Sequence, residues 1–384
     1  MNELTNVHLV ASFGFALAAV FGFVANKTSF CVMGAISDVL HMGSRGRLGA
    51  WFLAIGIAIV GAQGLQLSGY VDLNQSLYLN PSFGWLGNAL GGFMFGVGMT
   101  LAGGCGQRNL VRLGGGNLKA FVVLTVLGLS AYMTVRGVLA LIRVNVVSRT
   151  SIDLSEGGLQ DQSLVSAVVG LTGFQNAELV RIVLAALLGL GFIVYALRQP
   201  GLRESFDNLL AGITVGALVI AAWFVTGYVG QDDFDPVPVE GLTFVAPTGN
   251  AINYLMTFTG ATINFGIAVV AGMFLGSLVY AALTGNFRIE TFSNRADMMN
   301  HLVGAALMGF GGVLALGCTI GQGVTGMSTL AMGSAIAMVS IIFGSALTMK
   351  IQYHMLDERG FFSALVLALA ELFALKGNAT QDSA

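Results

Sequence analysis

The chain has 384 residues, of which 55% are hydrophobic and 9% charged, with a mean hydropathy of +0.80 and a formal net charge of −2. Soluble domains carry about 25% charged residues, so the composition leaves no soluble domain or nucleic-acid partner to expect and points to a polytopic protein in a lipid bilayer. Its three cysteines are an odd number and include no C-x-x-C pair, which speaks against a disulfide framework and a zinc knuckle.

Spanning the hydrocarbon takes about 20 mostly apolar residues, because only a helix satisfies its own backbone groups where water is absent. In chain order, spans are predicted near 8–27, 48–69, 85–104, 118–142, 179–197, 207–229, 262–284, 300–317, 329–349 and 360–376. The fold class is therefore an all-α membrane protein with about nine or ten crossings. Residues 1–10 contain no Lys or Arg, so they lack the basic region of a cleavable signal, and the first apolar run is expected to remain as a helix. One transmembrane domain is expected over 1–384, made of a first repeat at about 8–143, a central segment at about 144–260 and a second repeat at about 261–376.

Acidic stretches without bases, "VDLNQSLYLNPS" (71–82), "SIDLSEGGLQDQ" (151–162) and "QDDFDPVPVE" (231–240), alternate with basic ones around Arg45 and Arg47, around Arg108, Arg112 and Lys119, and around Arg198 and Arg203. The positive-inside rule places the basic segments in the cytoplasm.

The repeat is visible in the residues. "GGFMFGVGMTLAGGC" (91–105) aligns without a gap on "GAALMGFGGVLALGC" (304–318), with identities at Gly91/Gly304, Gly96/Gly309, Gly98/Gly311, Leu101/Leu314, Ala102/Ala315, Gly104/Gly317 and Cys105/Cys318. Such a register reads as a structural duplication. A weaker match pairs "TSFCVMGA" (28–35) with "GNFRIETF" (285–292), setting Cys31 against Arg288, which is expected to structure a loop by pairing with Glu290 or Asp297. An extra apolar segment, 48–69, in the first half would make the two Gly-Cys helices enter from opposite sides.

The glycines form small-residue faces suited to close helix packing. After each repeated cysteine the sequence turns polar and Gly-rich, "GQRN" and "TIGQGVTG", a poor continuation for a lipid-facing helix. Irregular backbone at membrane depth persists only in a protein interior or beside a cavity, so each Gly-Cys marks a helix break of the kind that transporters aim at substrate. In 26–43, Lys27, Cys31, Gly34, Asp38 and His41 fall on one face if the stretch is a continuous helix.

Thiols at such breaks have several uses: soft-metal passage, redox chemistry, handling of a sulfur anion, or packing. Copper would want paired Cys and Met ligands, but the 16 Met are scattered with no M-x-x-M. A redox enzyme would want a resolving thiol or a cofactor site, and neither is apparent, so no metal, cofactor or catalytic turnover is expected. An anion needs positive potential without a fixed trap, as Gly-rich helix N-termini provide, and Gly106, Gln107, Asn109, Gln322, Thr325 and Ser328 are candidate donors. Neutral thiols could donate S–H bonds to a soft terminal sulfur, whereas thiolates would repel an anion.

The motifs "GFVANKTSFCVMGA" (22–35), "LGGFMFGVGMTLAGGC" (90–105), "FRIETF" (287–292) and "LMGFGGVLALGCTIGQGVTG" (307–326) make the chain resemble the YeeE/YedE family of bacterial inner-membrane sulfur-transport proteins. The resemblance implies an hourglass-like, channel-like protein with short re-entrant helices, in which thiosulfate is relayed by S–H···S bonds to Cys31, Cys105 and Cys318. Gly104, Gly106, Arg108, Asn109, Gly317 and Gln322 would shape the substrate site, and a cytoplasmic sulfurtransferase is a candidate partner. The stretch "GQRNLVRLGGGNLKA" (106–120) is more basic than the family's thiosulfate form. A carrier of selenium compounds or other oxyanions, and a membrane protein that transfers sulfane sulfur, are the alternatives.

Overall fold

The computed structural model describes residues 6–174, 176–232, 236–357 and 360–373. Among the described residues, eight helical segments are long and apolar enough to cross a membrane: Asn6–Met42, Gly46–Leu67, Trp85–Gly114, Leu118–Arg136, Ala177–Leu197, Phe206–Val229, Phe265–Thr284 and Met332–Leu356. The 20-residue Arg295–Leu314 helix accounts for the span predicted near 300–317, but its first turns are polar, with Arg295, Asp297, Asn300 and His301. Among the described residues the strand content is a two-residue pair, Ser82–Phe83 with Ile152–Asp153. The chain is thus an all-α, multi-pass membrane protein.

Two boundaries differ from expectation for local reasons. The span predicted at 118–142 stops at Arg136, where Gly137 takes up an extended backbone. The last predicted span is the 13-residue helix Phe361–Phe373, too short at about 1.5 Å per residue to cross a core about 30 Å thick; residues 374–376 of that prediction lie outside the described ones.

The first half is built from α1 (Asn6–Thr28), α2 (Val32–Ser37), α3 (Gly46–Leu67), α4 (Trp85–Leu101), α5 (Gly106–Gly114) and α6 (Leu118–Arg136). The break between α1 and α2, with Ser29 at φ 53°, means that the polar stripe from Lys27 to His41 does not lie on one helix. Lys27 instead sits over the Phe206 ring at 5.6 Å, and Asp38 pairs with Arg47 at 3.3 Å near the surface.

Helix α4 and the Arg295–Leu314 helix cross in antiparallel fashion through their glycines. A Cβ on Gly91 would stand 2.6 Å from the Gly311 carbonyl, and one on Gly311 2.6 Å from the Gly91 carbonyl. The same holds at the other end of the crossing, where Gly98 and Gly304 would place a Cβ 2.5 and 2.6 Å from each other's carbonyl oxygen. Because Gly91 aligns with Gly304 and Gly98 with Gly311, exchanging the two helices reproduces the same contacts, as a two-fold axis between duplicated elements requires. Gly96 likewise lies against Ile341 of the Met332–Leu356 helix as Gly309 lies against Leu127 of α6.

The halves differ by one residue after their cysteines. Left-handed backbone recurs at Gly103 and Gly116 in the first half and at Leu316 and Leu330 in the second, and the second pair is one residue further apart. The surplus is taken up by the π-helical turn Gly321–Gly326, as a single insertion in a helix usually is.

Candidate functional site

All three cysteines occupy one local geometry. A helix ends, a residue two positions before the cysteine turns left-handed (Ser29 at φ 53°, Gly103 at 67°, Leu316 at 59°), and a new helical turn starts just after the cysteine. Each cysteine carbonyl then accepts the first helical hydrogen bond, from Ala35 N–H at 3.0 Å, Asn109 N–H at 3.0 Å and Gln322 N–H at 2.7 Å. The geometry therefore occurs three times, one more than the repeat alignment indicates.

The breaks meet in the interior. Cys105 and Cys318 are fully buried and Cys31 is 5% exposed. The Cys105 thiol lies within electrostatic reach of both Cys31 and Cys318 and faces the Thr319 side chain. The Cys318 sulfur accepts the Gly321 N–H at 3.4 Å. Phe30, beside Cys31, stacks on Trp51 with ring centroids 4.7 Å apart, which fixes the first break against α3.

Polar side chains around the thiols divide into two groups. Asn109 Nδ2 donates to the Gly104 and Cys105 carbonyls at 2.8 and 3.1 Å, and Gln322 Nε2 donates to the Ala315 carbonyl, so both amides saturate the ends of broken helices. Gln107 Oε1 accepts a weak bond from Cys105 Sγ at 3.8 Å, but its Nε2, like the Thr319 hydroxyl, is buried without a protein hydrogen bond of normal geometry. Buried polar groups are rarely left so, and an unpaired amide donor beside the Cys105 thiol is suited to an anion. Gly104 and Gly317 pack closely, with a Cβ on either meeting Arg108 Cγ at 3.0 Å or Gln322 Cγ at 3.3 Å, whereas Gly106 has ordinary van der Waals room.

Cavities adjoin these cysteine breaks. One, of about 410 Å³, is walled by Arg108, Arg112, Lys119, Arg288, Glu290 and His301. Arg112 is within electrostatic reach of Cys31 and Cys105, so this vestibule adjoins the first two thiols. Arg288 does not pair with Glu290 or Asp297 as expected. Asp297 is held by Lys119 at 2.7 Å and His301 at 3.1 Å, which keeps its carboxyl below the usual range, and Glu290 accepts from Asn117 Nδ2.

The other cavity, of about 330 Å³, is lined by Tyr78, Arg143, Glu240, Asn250, Asn264 and Gly317, the last adjoining Cys318. Neither Tyr78 nor Glu240 stands out in the sequence, because loops far from the repeat bring them there. Arg143 donates to the Thr134 and Val135 carbonyls at 3.1 and 3.2 Å.

Residues 27–347 match the family model described as sulphur transport. The chain belongs to the sulphur transport family. It is similar to two proteins named thiosulfate transporter TsuA. The Escherichia coli K12 protein is 25% identical over 348 residues, covering 86% of this chain and 91% of the relative, and that of Spirochaeta thermophila is 29% identical over 342 residues, covering 86% and 96%. All three cysteine breaks fall inside the stretch that matches the sulphur transport family.

Burial pushes the Glu240 carboxyl up to about 7. The folded state then takes up a proton that the unfolded chain, with an ordinary value of 4.5, has already lost. The stabilisation is complete below the unfolded value and disappears as pH rises through about 7. The melting temperature of the wild-type protein should therefore fall between about pH 5 and about pH 8 relative to Glu240→Gln, whose curve lacks that component; parallel curves would contradict this.

Proposed function

We propose that this protein takes up thiosulfate, or a closely related small sulfur anion, across the bacterial inner membrane, passing it along Cys31, Cys105 and Cys318 at the waist. The observation that carries the reading is the convergence of three identically built helix breaks, with Cys105 within reach of both other cysteines. The names of the two relatives support the substrate class.

A divalent anion is costly to strip of water, on the order of tens of kcal/mol in a Born estimate, so the waist must return hydrogen bonds without holding the ion tightly. Neutral thiols meet both demands, since each S–H is a weak donor to the terminal sulfur and three in series make exchange easier than capture. Gln107 Nε2, the Thr319 hydroxyl and the backbone N–H of Gly106 at the start of α5 would serve the oxyanion end. Asn109 and Gln322 act as positioning residues that keep the broken ends in place, Gly104 and Gly317 let the chain turn there, and Arg108 adds positive field beside the path.

With the basic segments cytoplasmic, the Glu240 cavity faces the outside and the arginine-lined vestibule faces the cytoplasm. A cytoplasmic sulfurtransferase would collect the product at that vestibule. The test is growth of a strain without other thiosulfate uptake, carrying this gene, on thiosulfate as sole sulfur source. Growth is expected; growth on cysteine but not on thiosulfate, with the protein present in the membrane, would reject the substrate.

A further inference from the structure

The vestibule carries a charge imbalance that no ion pair among the described residues relieves. Of the four cations on its wall, Lys119 is tied to Asp297 at 2.7 Å. The guanidiniums of Arg108, Arg112 and Arg288 have no ion pair or side-chain hydrogen bond among the described residues. Glu290 is the one carboxylate lining the same space, and its side chain accepts from Asn117. Three guanidiniums against one carboxylate leave an excess of two positive charges around about 410 Å³.

The backbone holds the charges there. Arg108 and Arg112 lie one turn apart on α5, within electrostatic reach of each other. The segment bearing Arg288 is fastened to the turn after α5 on both sides, by Arg288 N–H to the Gly115 carbonyl at 2.9 Å and Leu118 N–H to the Glu290 carbonyl at 2.9 Å. Gly116, at φ 95°, permits the approach, since a Cβ there would stand 2.7 Å from the Arg288 carbonyl. Holding like charges together is unfavourable unless a counter-ion joins them, and planar guanidinium forks match the oxygens of tetrahedral oxyanions.

We propose that Arg108, Arg112 and Arg288 form a binding site for a divalent tetrahedral oxyanion, one that reads oxygens and charge and does not require a terminal sulfur. The site rests on the transport reading above in that it lies at the mouth of the same path, and it divides recognition in two. The thiols select sulfur, whereas the vestibule accepts sulfate as readily as thiosulfate, so sulfate on this side occupies the mouth without passing the waist.

The test is equilibrium binding of radiolabelled sulfate to the full-length protein in lipid nanodiscs at low ionic strength. Saturable binding is expected, displaced by thiosulfate but not by an equal concentration of chloride, weakening steeply with salt. Arg288→Gln, at an exposed position, should weaken it at least tenfold, and Cys105→Ala should leave it unchanged. Absence of saturable sulfate binding, wild-type binding by Arg288→Gln, or loss of binding in Cys105→Ala would each overturn the proposal. If instead sulfate binds as described while Cys105→Ala still transports thiosulfate, the vestibule site stands and the thiol passage falls.

Discussion

Cys105→Ala is expected to lower thiosulfate uptake by about 5- to 150-fold with little loss of folded protein. The middle thiol is fully buried and lies within reach of both others, so on the proposed path its removal leaves the anion one donor short. A buried polar group without its partner costs about 1–3 kcal/mol, which converts to the stated range at about 1.4 kcal/mol per factor of ten. Truncating cysteine to alanine removes one sulfur's burial, roughly 1 kcal/mol of stability, so the melting temperature should shift by only a few degrees. Cys318→Ala should act similarly, and Cys31→Ala less, because Cys31 is slightly exposed. Uptake of labelled thiosulfate by cells, normalised to membrane-inserted protein, measures the effect; unchanged uptake in both Cys105→Ala and Cys318→Ala would remove the passage of the anion along the thiols.

Gly98→Val is expected to abolish recovery of folded protein. Its added Cβ would lie 2.5 Å from the Gly304 carbonyl and 2.9 Å from the Met308 nitrogen, both backbone atoms of the partner helix. Overpacking usually costs about 1–3 kcal/mol when side chains can move. Here two helices must separate, which also opens the Gly91–Gly311 contact further along, so the cost should exceed that range. Gly64→Ala is the control: nothing lies within 4 Å of its Cβ position, and replacing glycine inside a helix should gain about 0.5–1 kcal/mol. Detergent extraction and size-exclusion profiles compare them; a monodisperse Gly98→Val protein with wild-type yield would contradict the close crossing.

The sequence made some of this arrangement legible and concealed the rest for identifiable reasons. The Gly-Cys repeat was readable because glycines that let backbones touch cannot vary freely, so two copies kept the same register through Cys105 and Cys318. The break before Cys31 was not, because its left-handed residue is Ser29 and no glycine precedes the cysteine, while Lys27, Cys31 and Asp38 kept a helical period across the interruption. Leu316 shows the same limit in the second half, adopting φ 59° where the first half has Gly103. The donor role expected for Asn109 and Gln322 depended on where their amide nitrogens point, and both point at carbonyls of broken ends. Tyr78 and Glu240 reach the site only through tertiary contacts that no local pattern encodes.

An experimental structure with bound selenosulfate, in which selenium replaces the terminal sulfur and marks it by anomalous scattering, bears most directly on the convergence of the three thiols on one path. Selenium is predicted within contact distance, about 3.5–4 Å, of the Sγ atoms of Cys31, Cys105 or Cys318. Selenosulfate ordered elsewhere in the protein, with no anomalous peak near any of the three sulfurs, would contradict it.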